Sequence, residues 1–313
     1  MSEMIGSLAQ AGEFFVIIML ELTLLFLGIT FLVGIMQEYV PEEKIKKALG
    51  AGKRKAVGSV FGAFFGALTP FCSCSTIPIF VGLIDAGVPF AIAMSFLIAS
   101  PLLNPIIIGL LLLLLGTTIT LIYALVSFTF AVGVGLLLDA VGFEKHLKSV
   151  TVVGKEEREI VATGGNSTFW QRHGPRLRRA GSFAWSLFLH MFPYLLVGAG
   201  IGAFIYGFVP QDFIVQYAGP GNPFSIPVAA VIGVPMYIRA ETIIPIGFVL
   251  VEKGMSVGTA IALIIGGAGA SIPELMMLAG IFKRKLLIAF IAVVIGVAIA
   301  AGYLSDFLIM IMK

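Results

Sequence analysis

Apolar runs separated by short polar stretches organise this chain. The runs 14–36, 57–84, 88–115, 117–138, 184–208, 225–250, 256–281 and 286–311 carry almost no charge. Each is long enough for the ~20 residues that a hydrocarbon core about 30 Å thick requires of a helix. Four of them break in the middle, and the breaks read LTPFCSCSTIP, SPLLNP, VPMYIRAETIIP and GGAGASIPE. In lipid every unpaired backbone N–H or C=O costs several kcal/mol, so unwound backbone at depth must face protein or water. The breaks therefore predict a cavity. The expected fold is an all-α polytopic membrane protein with about 8 to 10 membrane segments, some of them broken or re-entrant.

Charge adds a topology. Only 12% of residues are charged, against about 25% in a soluble domain, which leaves no room for a large soluble unit. Residues 1–12 hold Glu3 and no Lys or Arg, unlike the basic leader of a signal peptide, so 14–36 is expected to stay as a membrane helix. Basic residues concentrate at Lys44–Lys55 and again from Lys145 to Arg179, whereas 209–224 holds Asp212 and no Lys or Arg. The positive-inside rule makes the two basic stretches cytoplasmic, with the N-terminus and 209–224 outside. Three apolar runs then lie between two cytoplasmic loops, so either one run is a re-entrant hairpin or the block holds four shorter crossings. Lys253 inside and Asp85 outside favour 57–84 as the crossing. The chain divides into a first membrane repeat, 1–140, a basic cytoplasmic linker, 141–183, and a second repeat, 184–313.

The halves match at a shift of 167, which sets Ile77-Pro78-Ile79 on Ile244-Pro245-Ile246 and Gly87 on Gly254. A one-residue insertion then brings Asn104-Pro105 onto Ile272-Pro273. Since the basic loops turn the halves upside down to each other, the expectation is an inverted-topology repeat, a plan of secondary transporters whose sites lie at broken helices near the midplane.

Candidate site residues follow from the breaks. Cys72 and Cys74, with Ser73 between them, are the chain's two cysteines and lie in one proline-bounded break. Neighbours so close rarely reach disulfide geometry. At the matched positions stand Arg239 and Glu241, which either neutralise each other to hold the loop shut or contact substrate. Asn104 reads as the N-cap of a half-helix, and Ser271-Ile272-Pro273-Glu274 as a capping box. Glu274 is also a candidate substrate ligand. Glu21, inside the first helix with no basic neighbour, is the candidate proton-coupling carboxylate, and His190 is a weaker one. Gly58, Gly62 and Gly66 form a ridge suited to close helix packing.

Thiolates select soft metals and metalloids. A trivalent arsenical with one organic substituent has two exchangeable positions, and two thiols match them. With TPFCSCSTIP, SPLLNP and a basic linker between two halves, the sequence resembles the predicted permeases of the ArsP and YraQ type. The resemblance implies a multi-pass permease of the inner membrane, with ArsP-like members exporting trivalent organoarsenicals. It also implies small thioredoxin-like neighbours. Two functions stay open: proton-coupled export of a small thiol-reactive solute, or handling of sulfur compounds or dithiol equivalents with a thioredoxin-like partner. No P-loop is present. The expectation is a transporter and not an enzyme, without cofactor, metal or nucleic acid. Its partners are a small molecule and the bilayer, and a homo-oligomer is compatible with it.

Overall fold

The computed structural model describes residues 2–39, 55–69, 73–148, 169–208, 224–235, 240–252 and 254–312. Among them the chain is helical, and the sole extended pairing is an isolated bridge between Leu147 and Phe282. The first half comprises α1 (Ser2–Tyr39), α2 (Lys55–Leu68), α3 (Ser73–Asp85), α4 (Phe90–Leu102), α5 (Pro105–Leu114) and α6 (Gly116–Ala140). A short 3-10 turn, Phe143–His146, follows. The second half comprises α7 (Phe169–Phe208), α8 (Ser225–Gly233), α9 (Ala240–Glu252), α10 (Val257–Gly269), α11 (Ile272–Ile281) and α12 (Arg284–Met312). By length and apolarity Phe90–Leu114, Gly116–Ala140, Leu177–Val197 and Arg284–Ile311 can each cross a membrane, and α10 with α11, bent by 43°, forms a fifth candidate span. This is an all-α polytopic membrane protein.

The register of the two halves is uniform across the broken segments. α3 and α9, α4 and α10, and α5 and α11 begin and end 167 residues apart. The one-residue insertion expected from sequence is therefore not there: Asn104 matches Ser271, and both are N-caps. Gly87 and Gly254, also matched, carry φ of 73° and 101°, the left-handed conformation in which glycine avoids a Cβ clash, and each turns the chain out of its returning helix.

Packing repeats with the register. A Cβ on Gly66 of α2 would lie 2.6 Å from the Phe96 carbonyl oxygen on α4, and one on Gly233 of α8 would lie 2.7 Å from that of Leu263 on α10. All four positions are related by the same shift. Glycine lets these backbones touch, as small residues do between membrane helices. In α2 the ridge continues at Gly62, 2.5 Å by the same measure from the Ile92 oxygen. At the next helix, Gly135 of α6 presses on Ser95 and Ala91 of α4, and Gly258 of α10 presses on Gly302 and Asp306 of α12. There the Asp306 carboxylate accepts from Gly258 N–H at 2.6 Å, capping α10 from outside the helix.

These contacts decide which arm is re-entrant. α2 and α4 run parallel, since Gly62 meets Ile92 and Gly66 meets Phe96. α6 is antiparallel to α4, with Tyr123 near its start donating to the Leu102 carbonyl at 2.8 Å. Lys55, opening α2, pairs at 2.7 Å with Asp139 near the close of α6. So α3 returns to the end from which α2 came. Residues 57–84 form a hairpin and α4–α5 the crossing, opposite to the expectation drawn from Lys253 and Asp85. A single charge at a loop is a weak signal beside a glycine seam that fixes helix direction. α8 and α9 repeat the hairpin from the other end, as the Ser225 to Thr259 hydroxyl contact at 2.9 Å and the Gly233 to Leu263 approach both show α8 parallel to α10.

α1 and α7 form a separate antiparallel pair, with Gly34 against Ala180 and Phe26 and Phe188 ring centroids 6.3 Å apart. One end of the molecule gathers Lys55, Lys145, Lys148, Lys283, Arg284 and Lys285 and is called the basic end below. There Lys283 N–H donates to the His146 carbonyl, tying the start of the linker to the α11–α12 junction.

Candidate substrate site at the helix breaks

The α4–α5 and α10–α11 breaks form the centre. The two breaks meet, with a Cβ on Gly269 falling 3.4 Å from Leu102 Cδ2. The tip of the first hairpin is pinned beside them: Thr69 Oγ1 donates to the Gly66 carbonyl at 2.6 Å and lies 2.7 Å from Ser100 Oγ. With its own proton committed, Thr69 accepts from Ser100. Ser100 is fully buried in the last turns of α4. Thr69 and Ser100 are not among the expected site residues, though both stand inside the break motifs, and hydroxyls flanking proline in an apolar run are the sequence signal that marks them.

α3 starts at Ser73, which places Cys74 in its first turn and Cys72 just ahead of it. Pro78 inside α3 has no N–H for the carbonyl of Cys74, and Pro245 inside α9 has none for that of Glu241. Both helices thus leave an extra carbonyl without its helical partner next to the break. α3, α5, α9 and α11 all begin at the breaks, bringing the N–H-rich, partly positive ends of four half-helices to one level. Such ends favour electron-rich groups, while helix ends of α2, α4, α8 and α10 offer carbonyls to cationic ones.

The predicted residues fall as follows. Asn104 is 5% exposed and caps α5, its side-chain oxygen accepting from Ile106 N–H at 2.8 Å with Pro105 at the first helical position. Ser271 is the N-cap of α11 but its side chain makes no capping hydrogen bond, so the serine arm of the expected capping box is not formed. Glu274 is fully buried in the first turn of α11. Ser73 and Cys74 open α3, Glu241 lies at the start of α9, and Glu21 lies within α1, but the side chains of these four are outside the described residues. Cys72 and Arg239 are outside them altogether. His190 is remote from the breaks, with Nε2 3.2 Å from the Gly280 carbonyl where α7 meets α11. No group of three or more metal-ligating side chains occurs among the described residues.

A family profile described as a predicted permease, ArsP_1, matches residues 7–307. UPF0718 protein YcgR of Bacillus subtilis is 25% identical over 302 residues, covering 96% of this chain and 98% of its own length. UPF0718 protein MJ0584 of Methanocaldococcus jannaschii is 22% identical over 315 residues, covering 85% and 86%. A Streptococcus mutans protein named as a subunit of a two-component membrane permease complex is 34% identical over 74 residues, 24% of this chain and 21% of its own. No solved structure matches. With the match spanning nearly the whole chain and the helices apolar enough to cross a bilayer, the protein belongs to this predicted permease family and is a multi-pass membrane permease.

Proposed function

We propose that this permease exports a small thiol-reactive solute, such as a trivalent organoarsenical, in exchange for protons. The observation that carries the reading is the contact of Thr69, three residues ahead of Cys72 in the chain, with Ser100, beside two helix breaks that meet at Leu102 and Gly269. A mono-organic arsenical with two hydroxyls would condense with Cys72 and Cys74, forming two As–S bonds and releasing two waters, with no change of oxidation state. Ser73, Asn104, Arg239, Glu241 and Glu274 are assigned to the walls of this site. Glu21, on a helix that packs against α7 and α3, is assigned the proton. The basic end is cytoplasmic by the positive-inside rule, with the N-terminus outside. Residues 1–140 and 184–313 act as the two repeats and 141–183 as their linker. The name of the Streptococcus relative supports a second protein subunit for this chain as well.

The test is uptake of trivalent methylarsenite into everted membrane vesicles carrying the intact chain, under an imposed pH gradient. Cys72→Ser and Cys74→Ser should each reduce uptake to the level of empty vesicles at unchanged expression. Glu21→Gln should lose gradient-driven uptake and keep counterflow of labelled for unlabelled solute, which needs no net proton movement. Full uptake by Cys72→Ser contradicts the thiol assignment.

A further inference from the structure

Ten of the twelve described helices obey the inverted repeat in their contacts. α2 packs on α4 and α6 as α8 packs on α10 and α12, α3 on α4 as α9 on α10, α5 on α6 as α11 on α12, and the cross-contact of α3 with α11 is matched by that of α9 with α5. The pair α1–α7 does not obey it. α1 packs on α3 and α7 on α11, yet no comparable packing joins α7 to α9 or α1 to α5 among the described residues.

Burial follows the same division at matched positions. Gly280 of α11 is buried against Met191 and Tyr194 of α7, while its counterpart Leu113 on α5 is 82% exposed. Pro78 and Gly82 of α3 are buried, while Pro245 is exposed and Val249 is 45% exposed on α9. At the breaks, Pro273 in the first turn of α11 is buried whereas its counterpart Ile106 on α5 is 45% exposed. α3 and α11 run toward the basic end, where Phe80 meets Phe282 at 5.8 Å edge-on. α5 and α9 run toward the opposite end.

We propose that α1–α7 is the gate of the permease, that this structure is the state sealed at the basic end and open at the opposite one, and that the other state docks α1 on α5 and α7 on α9. The inference rests on the permease reading for its purpose and on the broken symmetry alone for its geometry. A symmetric scaffold offers the gate two equivalent seats, so the two seatings differ little in energy and a solute or proton at the breaks can bias them. The linkage to α3 and α11 closes off the breaks from one side, and reseating closes them from the other.

Pulsed electron–electron distance measurements in proteoliposomes test this, with Cys72→Ala and Cys74→Ala freeing the chain for labels. A label pair at Leu196 on α7 and Val249 on α9 should show, besides the separation seen here, a second population shorter by on the order of 5 Å, the scale of a one-turn helix shift. A pair at Leu24 on α1 and Leu112 on α5 should do the same. A scaffold pair at Leu125 on α6 and Ile288 on α12 should keep one distance. Adding Leu113→Trp, which fills the vacant seat on α5, should remove the short population. Single unchanged distances in both gate pairs, with and without a pH gradient, or movement in the scaffold pair, overturn the proposal. Movement of the gate in a chain whose intact form carries no methylarsenite removes the substrate reading alone, and methylarsenite transport without gate movement removes the gate alone.

Discussion

The hairpins α2–α3 and α8–α9 share a register, a proline inside the returning helix and a left-handed glycine at the exit, yet they are buried differently. The first is covered by α1 and carries the two thiols at its tip. The second leaves Pro245 and Val249 exposed and carries Arg239 and Glu241 at the matched tip positions. What the two hairpins hold in common is what packing against α4 and α10 demands. They differ at the tips and on the face of α3 and α9 that α1 covers in the first hairpin and leaves open in the second. The glycine seams thus build the scaffold twice, while the tips carry different residues.

The largest effects are expected at the seams. Gly66→Ala and Gly233→Ala both place a methyl against a backbone carbonyl, which cannot rotate away, and each should destabilise the protein by about 1–3 kcal/mol. Gly109→Ala, on α5 with nothing within 4 Å of its Cβ, should stabilise by about 0.5–1 kcal/mol through helix propensity. Thermal unfolding in detergent reads all three. A large difference between Gly66→Ala and Gly233→Ala would mean that the scaffold is not built twice in the same way.

A smaller effect separates the matched N-caps. Asn104→Ala removes the bond to Ile106 N–H and should cost about 1 kcal/mol. Ser271→Ala removes no capping bond and should be nearly neutral by the same measurement. Equal losses at the two positions would show that the α11 cap acts through its side chain after all.

Much of the scaffold was legible in sequence because its causes are local. Apolar length marks the spans, proline and asparagine mark the breaks, and Gly58, Gly62 and Gly66 mark a seam. The direction of 57–84 was not legible, because hairpin and crossing contain the same residues and differ only in which end α2 shares with α4. The apparent insertion before Asn104 came from matching two prolines, one at the first and one at the second position of their helices. Hydropathy likewise places a membrane boundary near 184, whereas helix α7 already begins at Phe169 and runs through Arg172, Arg176, Arg178 and Arg179. Backbone hydrogen bonding continues a helix beyond the bilayer, and hydropathy does not register it. Two cysteines between prolines mark the tip of the first hairpin in sequence, whereas the contact of Thr69 with Ser100 carries no local mark, since it spans 31 residues.

On the proposed function, Cys72 and Cys74 face a water-filled space between the breaks, open at the end opposite the basic one. A small membrane-impermeant maleimide applied to the native chain in sealed vesicles of known orientation tests it most directly. Labelling of Cys72 or Cys74 should be faster from the side opposite the basic end, and prior methylarsenite should suppress it. Thiols that react only after unfolding, or only from the basic side, would contradict the account.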